Sequence, residues 1–594
     1  MKFSEFSKYL QRLESTTKRL EMIDIITELI NKLPNEYVDT AIYLACGYLK
    51  APFKGLKFNI ADKMMINILS NAFSSIKDPH IKPRVQKLYE QKGDLGNVAY
   101  ELATRTRCDF DVKTVHNKLK NVAAINGTGS QELKVKKMSE LLRGVDKLSA
   151  KYITRITLGI TRLGFTETTI TESLARLAGD KKLKKKIEGV YNIHPDIGLI
   201  TKKIKMSGIK GLDEISIETG VPLLSQKAQR IGGGIKEVIN KMGTIWAEFK
   251  FDGTRVQLHI DKNKKIDSKK TSLLKSDKEN YLIKTFTRNL EETTHQYPDL
   301  ADAAKKYIDA TSAIVDGEAI GFDKKTGEFL PFQEIMQRKR KHGISDMVKE
   351  VPLKYFVFDL LYLNGKPLID KTLKERRAAL HKVIKKNDVI IIDDHIETDD
   401  TKTLDKYFET AKRKSLEGLI AKKPGDAYQA GARSYSWVKI KKADETLMED
   451  SVDCVILGYY FGKGARSKLG IGGLLVGVYE PKNDSFKTVS KIGTGFTEDA
   501  WIKIKQLCDK YKVSEKPKNV VMDKIFKPET FVSPRIVIEI GADEISASQT
   551  HTAGYALRFP RFLKVRNDKN PSEATTVEEI KQMHKNQKRG LYSR

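Results

Sequence analysis

The residues best placed to do chemistry are Glu248-Phe249-Lys250-Phe251-Asp252-Gly253-Thr254-Arg255, a lysine ending a strand-like run, then a tight Asp-Gly turn and an arginine. A lysine so placed can act as a nucleophile only as the neutral amine. From a reference pKa of about 10.4, reaching that form near pH 7.4 costs roughly 3 units, or about 4 kcal/mol. Neighbouring cations reduce the cost by disfavouring the ammonium, and Arg255, Lys439, Lys441 and a divalent metal are the candidates. Alone, K-x-D-G is weak: three fixed positions recur by chance in roughly one chain in thirteen of this length. A plain strand–turn–strand with Asp-Gly at the hairpin would also account for it.

The segments that must position this lysine change character along the chain. The first third reads as helices: Phe3, Phe6, Leu10 and Leu13 recur at helical spacing, as do Met22, Ile26, Leu29 and Leu33 before Pro34 stops the run. From about residue 215, short β-rich runs such as IWAEFKFDG, AIVDGEAIGFD and KYFVFDLLYLNG alternate with helical segments, an α+β texture. After about residue 441 strands dominate, with Ile536, Ile538 and Ile540 alternating against Val537 and Glu539. A small antiparallel barrel fits this best, closed by a helix capped at Thr576-Val577-Glu578-Glu579 and ending near Gly590.

The 594 residues carry 107 Lys+Arg against 77 Asp+Glu, a net charge of +30. That length predicts three or four domains at roughly 100 to 200 residues each. With 40% hydrophobic and 31% charged residues, disordered and collagen-like classes are excluded. Cys46, Cys108, Cys454 and Cys508 are scattered without a C-x-x-C, against a disulfide framework or a four-cysteine zinc site. No apolar run approaches the roughly 18 residues of a membrane span, and the N-terminus interleaves charges, so a cytoplasmic protein is expected. The positive excess points to a polyanionic partner, without separating DNA, RNA and acidic lipid. Lys181, Lys182, Lys184, Lys185 and Lys186 fit a solvated helix face or a phosphate-contacting patch equally.

The K-x-D-G segment is followed, in order, by Thr287-Arg288-Asn289-Leu290-Glu291, Asp316-Gly317-Glu318, Tyr355-Phe356-Val357-Phe358-Asp359, Glu417-Gly418-Leu419-Ile420-Ala421-Lys422 and Trp437-Val438-Lys439-Ile440-Lys441. Together these resemble the ordered motifs of the covalent nucleotidyltransferases: DNA ligases, RNA ligases and mRNA capping enzymes. A sixth element, Arg558-Phe559-Pro560-Arg561-Phe562-Leu563-Lys564-Val565-Arg566 with Asp568 and Lys569, is similar to the motif in that superfamily's C-terminal OB-fold domain. PFQEIMQRKRK (331–341), NGTGSQELK (126–134), TRITLGITRLG (154–164) and YNIHPDIG (191–198) extend the resemblance to archaeal-type ATP-dependent DNA ligases over nearly the whole chain.

That resemblance implies an all-α DNA-binding domain (1–215), an α+β nucleotidyltransferase (adenylation) domain (216–441) and a β-barrel OB-fold domain with a C-terminal helix (442–594). It also implies that Lys250 takes AMP from ATP, passes it to the 5′-phosphate of a nick in duplex DNA, and releases it when the 3′-hydroxyl attacks. Glu248 would recognise the adenine amino group, Phe358 stack on the ring, and Glu318 meet the ribose or a metal; Trp437 reads as packing. Arg255, Arg288, Arg433, Lys439 and Lys441 would supply cations where phosphate charge gathers. Glu417, with Glu318, would hold Mg2+, and Arg558 and Arg561 would orient pyrophosphate before the OB domain swings to clamp DNA.

Three departures stand beside this. The segment 261–284 is longer and richer in lysine than a short hairpin, consistent with a surface loop or an extra DNA-backbone contact. PLLSQKAQR (222–230) departs from the usual proline-methionine-leucine-alanine pattern, though Arg230 is in place. A sliding-clamp box near 104–110 would need a glutamine anchor, and the sequence there is TRTRCDF, so clamp binding is weakly supported. The expected state is a monomer. NAD is disfavoured as cofactor, because the four clustered cysteines of NAD-dependent ligases are missing. The rivals are an RNA-ligating or guanylyl-transferring relative and a catalytically silent nucleic-acid scaffold.

Overall fold

The computed structural model describes all residues except 75–80, 106–109, 232–233, 266–280, 331, 336–337, 339–347, 349, 415, 442–450, 463–465, 467–468 and 590–594. Most of the lysine-rich insertion, the centre of the clamp-box segment and much of 331–341 therefore lie outside the described residues.

Up to Ser207 the described chain forms twelve α-helices around one core. Phe3, Phe6, Leu10 and Leu13 are the buried stripe of helix Phe3–Ser15, and Met22, Ile26 and Leu29 that of Arg19–Lys32. That helix stops at Leu33, whose extended backbone is the conformation a following proline favours. Asp94, Asp111, Asp146 and Asp196 cap four later helices by accepting backbone N–H bonds. In the lysine cluster, Lys184 pairs with Glu172 and Lys186 with Asp213 at 2.8 Å, so part of its charge is answered within the protein.

The middle of the chain is two sheets face to face. Its strands are β1 (Lys227–Arg230), β2 (Ile245–Lys250), β3 (Thr254–Lys265), β4 (Tyr281–Thr287), β5 (Ser312–Gly321), β6 (Leu353–Leu363), β7 (Lys366–Pro367), β8 (Ile390–Ile392), β9 (His395–Thr398), β10 (Gly418–Lys422) and β11 (Arg433–Lys441). One sheet runs β1-β11-β10-β2-β9; the other runs β4-β3-β5-β6-β7, with β8 beside β6. Helices Gly234–Met242 and Thr401–Arg413 cover the first sheet and Pro298–Tyr307 and Leu373–Val383 the second. Between the sheets lie Leu223, Ile314, Leu361, Tyr428 and Trp437, with Phe358 against them. Because β2 and β3 belong to different sheets, the turn Phe251–Gly253 crosses the seam, and Lys250 sits at it. The helical region docks here through Tyr43 and Phe53 packed on Phe286 and Leu290, with Lys57 paired to Glu291 at 2.5 Å.

The last part is an eight-stranded antiparallel-rich sheet with a C-terminal helix, Val577–Arg589. Its central strand Val452–Tyr460 pairs with Gly473–Glu480, Thr530–Val532 and Val537–Gly541. The alternation expected at 536–540 is incomplete: Ile538 and Ile540 enter the main core, while Val537 is buried in a second cluster with Val455 and Leu475. Both faces of this strand are covered, so only Glu539 marks polarity. The helix begins on the expected capping box, Thr576 N–H donating to Glu579 Oε2 at 2.7 Å and Glu579 N–H to Thr576 Oγ1 at 3.2 Å.

Candidate active site

Lys250 ends β2 and is opposite Gly418 of β10, which is in turn opposite Lys441 of β11. This register places Glu417, the residue before Gly418, between two ammonium groups. One of its carboxylate oxygens pairs with Lys250 Nζ and the other with Lys441 Nζ. Burial raises the Glu417 carboxyl, but the two lysines outweigh it and hold the group below its ordinary range.

Gly253 explains the Asp-Gly turn. A Cβ there would stand 2.5 Å from the carbonyl oxygen of Ala319 and 2.9 Å from Glu318 Cγ, so only glycine lets the turn lie directly on β5. Glu318 is thereby brought to the seam, where its carboxyl is pushed up to about 7, chiefly by burial and against the pull of Lys250 and Arg255. Arg255 faces the buried Asp316 with Nε and one terminal nitrogen, at 3.1 and 2.6 Å, and Tyr428 donates its hydroxyl to the same carboxylate at 2.9 Å. Lys439 is depressed by burial and then by Lys441, Arg433, Lys250 and Arg230; Arg288 is depressed by burial and then by Arg255 and Arg433. So many mutually repelling cations at one seam demand a polyanion, and a triphosphate meets that demand.

On the other side of Lys250, Glu248 is buried and pairs with Arg377 through one oxygen and Lys422 through the other. Lys422 Nζ also stands 4.4 Å from the centre of the Phe358 ring and 4.3 Å from that of Trp437. Phe358 and Trp437 meet edge to face at 5.9 Å. This aromatic corner, with the Lys422 and Arg255 cations over the Phe358 ring, stands beside a carboxylate.

From the C-terminal part of the chain, the end of strand Tyr555–Arg558 and the turn after it reach the site. Phe559 lies with its ring 5.6 Å from Lys441 Nζ, at a φ of +50° that non-glycine residues seldom adopt. Arg558 is close enough to act on the Asp252 carboxylate. Arg561 is paired with Asp543 at 2.7 Å, and the N–H of Asp543 donates to the carbonyl oxygen of Arg558 at 3.0 Å.

The comparisons agree over the whole chain. The family model described as ATP dependent DNA ligase domain matches residues 222–441, that for the DNA ligase N terminus matches 2–175, and that for the ATP dependent DNA ligase C terminal region matches 467–569. A probable DNA ligase of Dictyoglomus turgidum is 38% identical, covering 99% of this chain and 98% of its own. The chain belongs to the ATP-dependent DNA ligase family. DNA ligase 2 of Korarchaeum cryptofilum is 36% identical over the same shares of the two chains. A solved chain named Pmar-Lig_PreS3 shares the fold with a TM-score of 0.54, covering 94% of this chain and 99% of its own at 17% identity. Nick sealing is the function of this family, and the matched N-terminal helical region weighs against the capping-type alternative.

In this ligase the sheets add residues that sequence reasoning left without a role. Asp316 and Lys422 lie inside quoted motifs, and their charge in apolar strands was the available signal. Trp437 packs, as expected, in the core between the sheets, edge to face with Phe358. Arg377, on an ordinary-looking helix, gave no signal. Among the described residues no helix is long and apolar enough to cross a membrane.

Proposed function

We propose that Lys250 is the residue that carries AMP, within a helical DNA-binding region (1–215), an adenylation domain (216–441) and an OB-fold domain (442–594) acting together on nicked duplex DNA. The observation that carries this reading is the Lys250–Glu417–Lys441 arrangement at a seam crowded with cations. Lys250 Nζ gives up a proton, for which Glu417 Oε2 is the adjacent acceptor, and attacks the α-phosphorus of ATP. A P–N bond forms, the bond to the β-phosphate oxygen breaks, and pyrophosphate leaves with its charge answered by Arg255, Arg288, Arg433, Lys439 and Arg558. The 5′-phosphate of the nick then displaces Lys250 from AMP, and the amine regains a proton. Finally the 3′-hydroxyl attacks the adenylated 5′-phosphate and AMP departs.

Glu318 and Glu417 are the oxygen donors available to Mg2+. No group of three metal-ligating side chains occurs among the described residues, so the donor set suits a cation whose shell is completed by phosphate and water. When bound, Mg2+ would neutralise phosphate charge at the α-phosphorus. Glu318, whose carboxyl burial raises, would be drawn to its ionised form there. The adenine would stack on Phe358 and donate its amino group to Glu248.

The test is to incubate the protein and Mg2+ with α-labelled ATP, GTP or NAD, look for label on denatured protein, and chase with nicked duplex. Label from ATP alone that leaves as sealed product appears is expected, and Lys250→Arg should lose the adduct while retaining DNA binding. Residual adduct in that variant would move the nucleophile elsewhere.

A further inference from the structure

The two groups assigned to adenine stand on different sheets. Glu248 is on β2 and Phe358 on β6, and no ladder hydrogen bond joins those strands. The backbone joins them only indirectly, through β8 beside β6 and β9 beside β2 with two residues between, which sets the strands but leaves the carboxylate's position against the ring to side-chain contacts, although a base stacked on one can reach the other only at a set offset.

Arg377 spans that gap. Its helix, Leu373–Val383, starts on a capping box formed by Thr372 and Glu375, the Glu375 N–H donating to Thr372 Oγ1 at 3.2 Å. From this helix Arg376 enters the core and grips Asp359, the residue after Phe358, with two bonds of 2.7 and 2.9 Å. Arg377, 2% exposed, then uses one terminal nitrogen for both Glu248 Oε1 and the carbonyl oxygen of Phe358, the latter at 2.9 Å. Its other terminal nitrogen donates to the carbonyl oxygen of Asp393, in the link between β8 and β9. One guanidinium thus ties the carboxylate of one sheet to the backbone of the ring-bearing strand of the other. The planar fork holds its donors in fixed directions and reaches the Asp393 carbonyl with a second nitrogen, whereas a lysine's three donors turn freely on one nitrogen at the end of a flexible stem.

We infer that Arg377 is a positioning residue for base recognition: it sets Glu248 against the Phe358 ring so that the 6-amino group of ATP is read. It touches neither the phosphates nor the reacting lysine. The inference rests on the reading of Glu248 as the amino acceptor, and the two can be tested apart.

Lysyl-AMP formation would be measured at varied concentrations of ATP and of purine riboside triphosphate, which lacks the 6-amino group, for the full-length protein and for Arg377→Lys and Arg377→Met. The wild type should prefer ATP in kcat/KM by about tenfold or more, the scale of a hydrogen bond to a charged acceptor. In Arg377→Lys the preference should fall to within about threefold, mostly through a raised KM for ATP, with nick binding unchanged. If the wild type shows no preference, the assignment of Glu248 fails. If the wild type prefers ATP and Arg377→Lys keeps the full preference, the inference about Arg377 is overturned, even if both nucleotides are used more slowly, because a merely structural role slows them equally. Arg377→Met leaves the buried Glu248 short of one cation and should fold less stably; the lysine variant, checked by thermal melting, carries the decision.

Discussion

Gly418 is the position where a single methyl group should cost most. It lies on β10 opposite Lys250 on one side and Lys441 on the other, and it follows Glu417 directly. Its φ is +146°, and a Cβ there would stand 2.0 Å from the carbonyl oxygen of Ile440 and 3.0 Å from Lys441 Cα. Gly418→Ala therefore meets two costs. The backbone conformation is worth about 1–3 kcal/mol to an L-residue. The clash is with backbone, which cannot rotate away, and overpacking of this kind adds about 1–3 kcal/mol. Relief of this 2–6 kcal/mol, to use the sum of those ranges as an order of magnitude, requires β10 to draw back from β11. That movement carries Glu417 away from Lys441 and disturbs Lys250. A displacement of about 1 Å at reacting groups costs about 100-fold in rate. Single-turnover formation of lysyl-AMP from α-labelled ATP should fall by roughly that factor, with melting of the adenylation domain lowered by about 4 °C or more. A wild-type rate would refute the register argument, and a wild-type rate with unshifted melting would refute the steric argument as well.

Four further outcomes follow from the structure. With the Glu318 carboxyl at about 7 in the free enzyme, kcat/KM for ATP in lysyl-AMP formation should rise with pH and level off above that value, and Glu318→Gln should remove the inflection; a flat wild-type profile would show that its ionised form is not needed. Because this folded-state pKa lies above the ordinary 4.5, the group's stabilising contribution is full below 4.5 and is lost as pH rises through 7, a slope that denaturant titration should find in the wild type and not in Glu318→Gln. Asp316→Ala strips the buried partner from Arg255 and should cost about 3–5 kcal/mol in urea unfolding, a loss under 1 kcal/mol being incompatible with the pairing described. Thr576→Ala breaks the capping box of the C-terminal helix and should cost about 1 kcal/mol with lysyl-AMP formation unchanged.

What could be read from the sequence was what depends on near neighbours. The stripe Phe3-Phe6-Leu10-Leu13 and the stop at Pro34 were legible because helix burial repeats within one or two turns. The strand at 537–541 was read less well, since Val537 is buried against a second cluster that no local alternation announces. At the site, Glu248 to Arg255 form one contiguous segment, so their types and spacing could be weighed together. Bringing Glu417 to Lys250 takes the pairing of β10 with β2, across 167 residues, and only the order of motifs hinted at it. Arg377 meets Glu248 across 129 residues from a helix whose pattern is that of any amphipathic helix. The pairing of Arg561 likewise depends on Asp543, 18 residues earlier in the link between strands Val537–Gly541 and Glu544–Ala547.

The two ends of the nucleotide site are built by different means, and this has a consequence. At the phosphate end, Lys250, Glu417 and Lys441 are set by three adjacent strands of one sheet, and Glu318 is pressed against them by the Gly253 turn. Ladder hydrogen bonds hold that geometry whatever the side chains do. At the base end, Glu248 and Phe358 come from opposite sheets and are joined through the Arg377 side chain. Side-chain substitution at the base end should therefore alter which nucleotide is chosen before it alters how fast phosphorus is transferred. Substitution at Gly253 or Gly418, which moves backbone, should do the reverse.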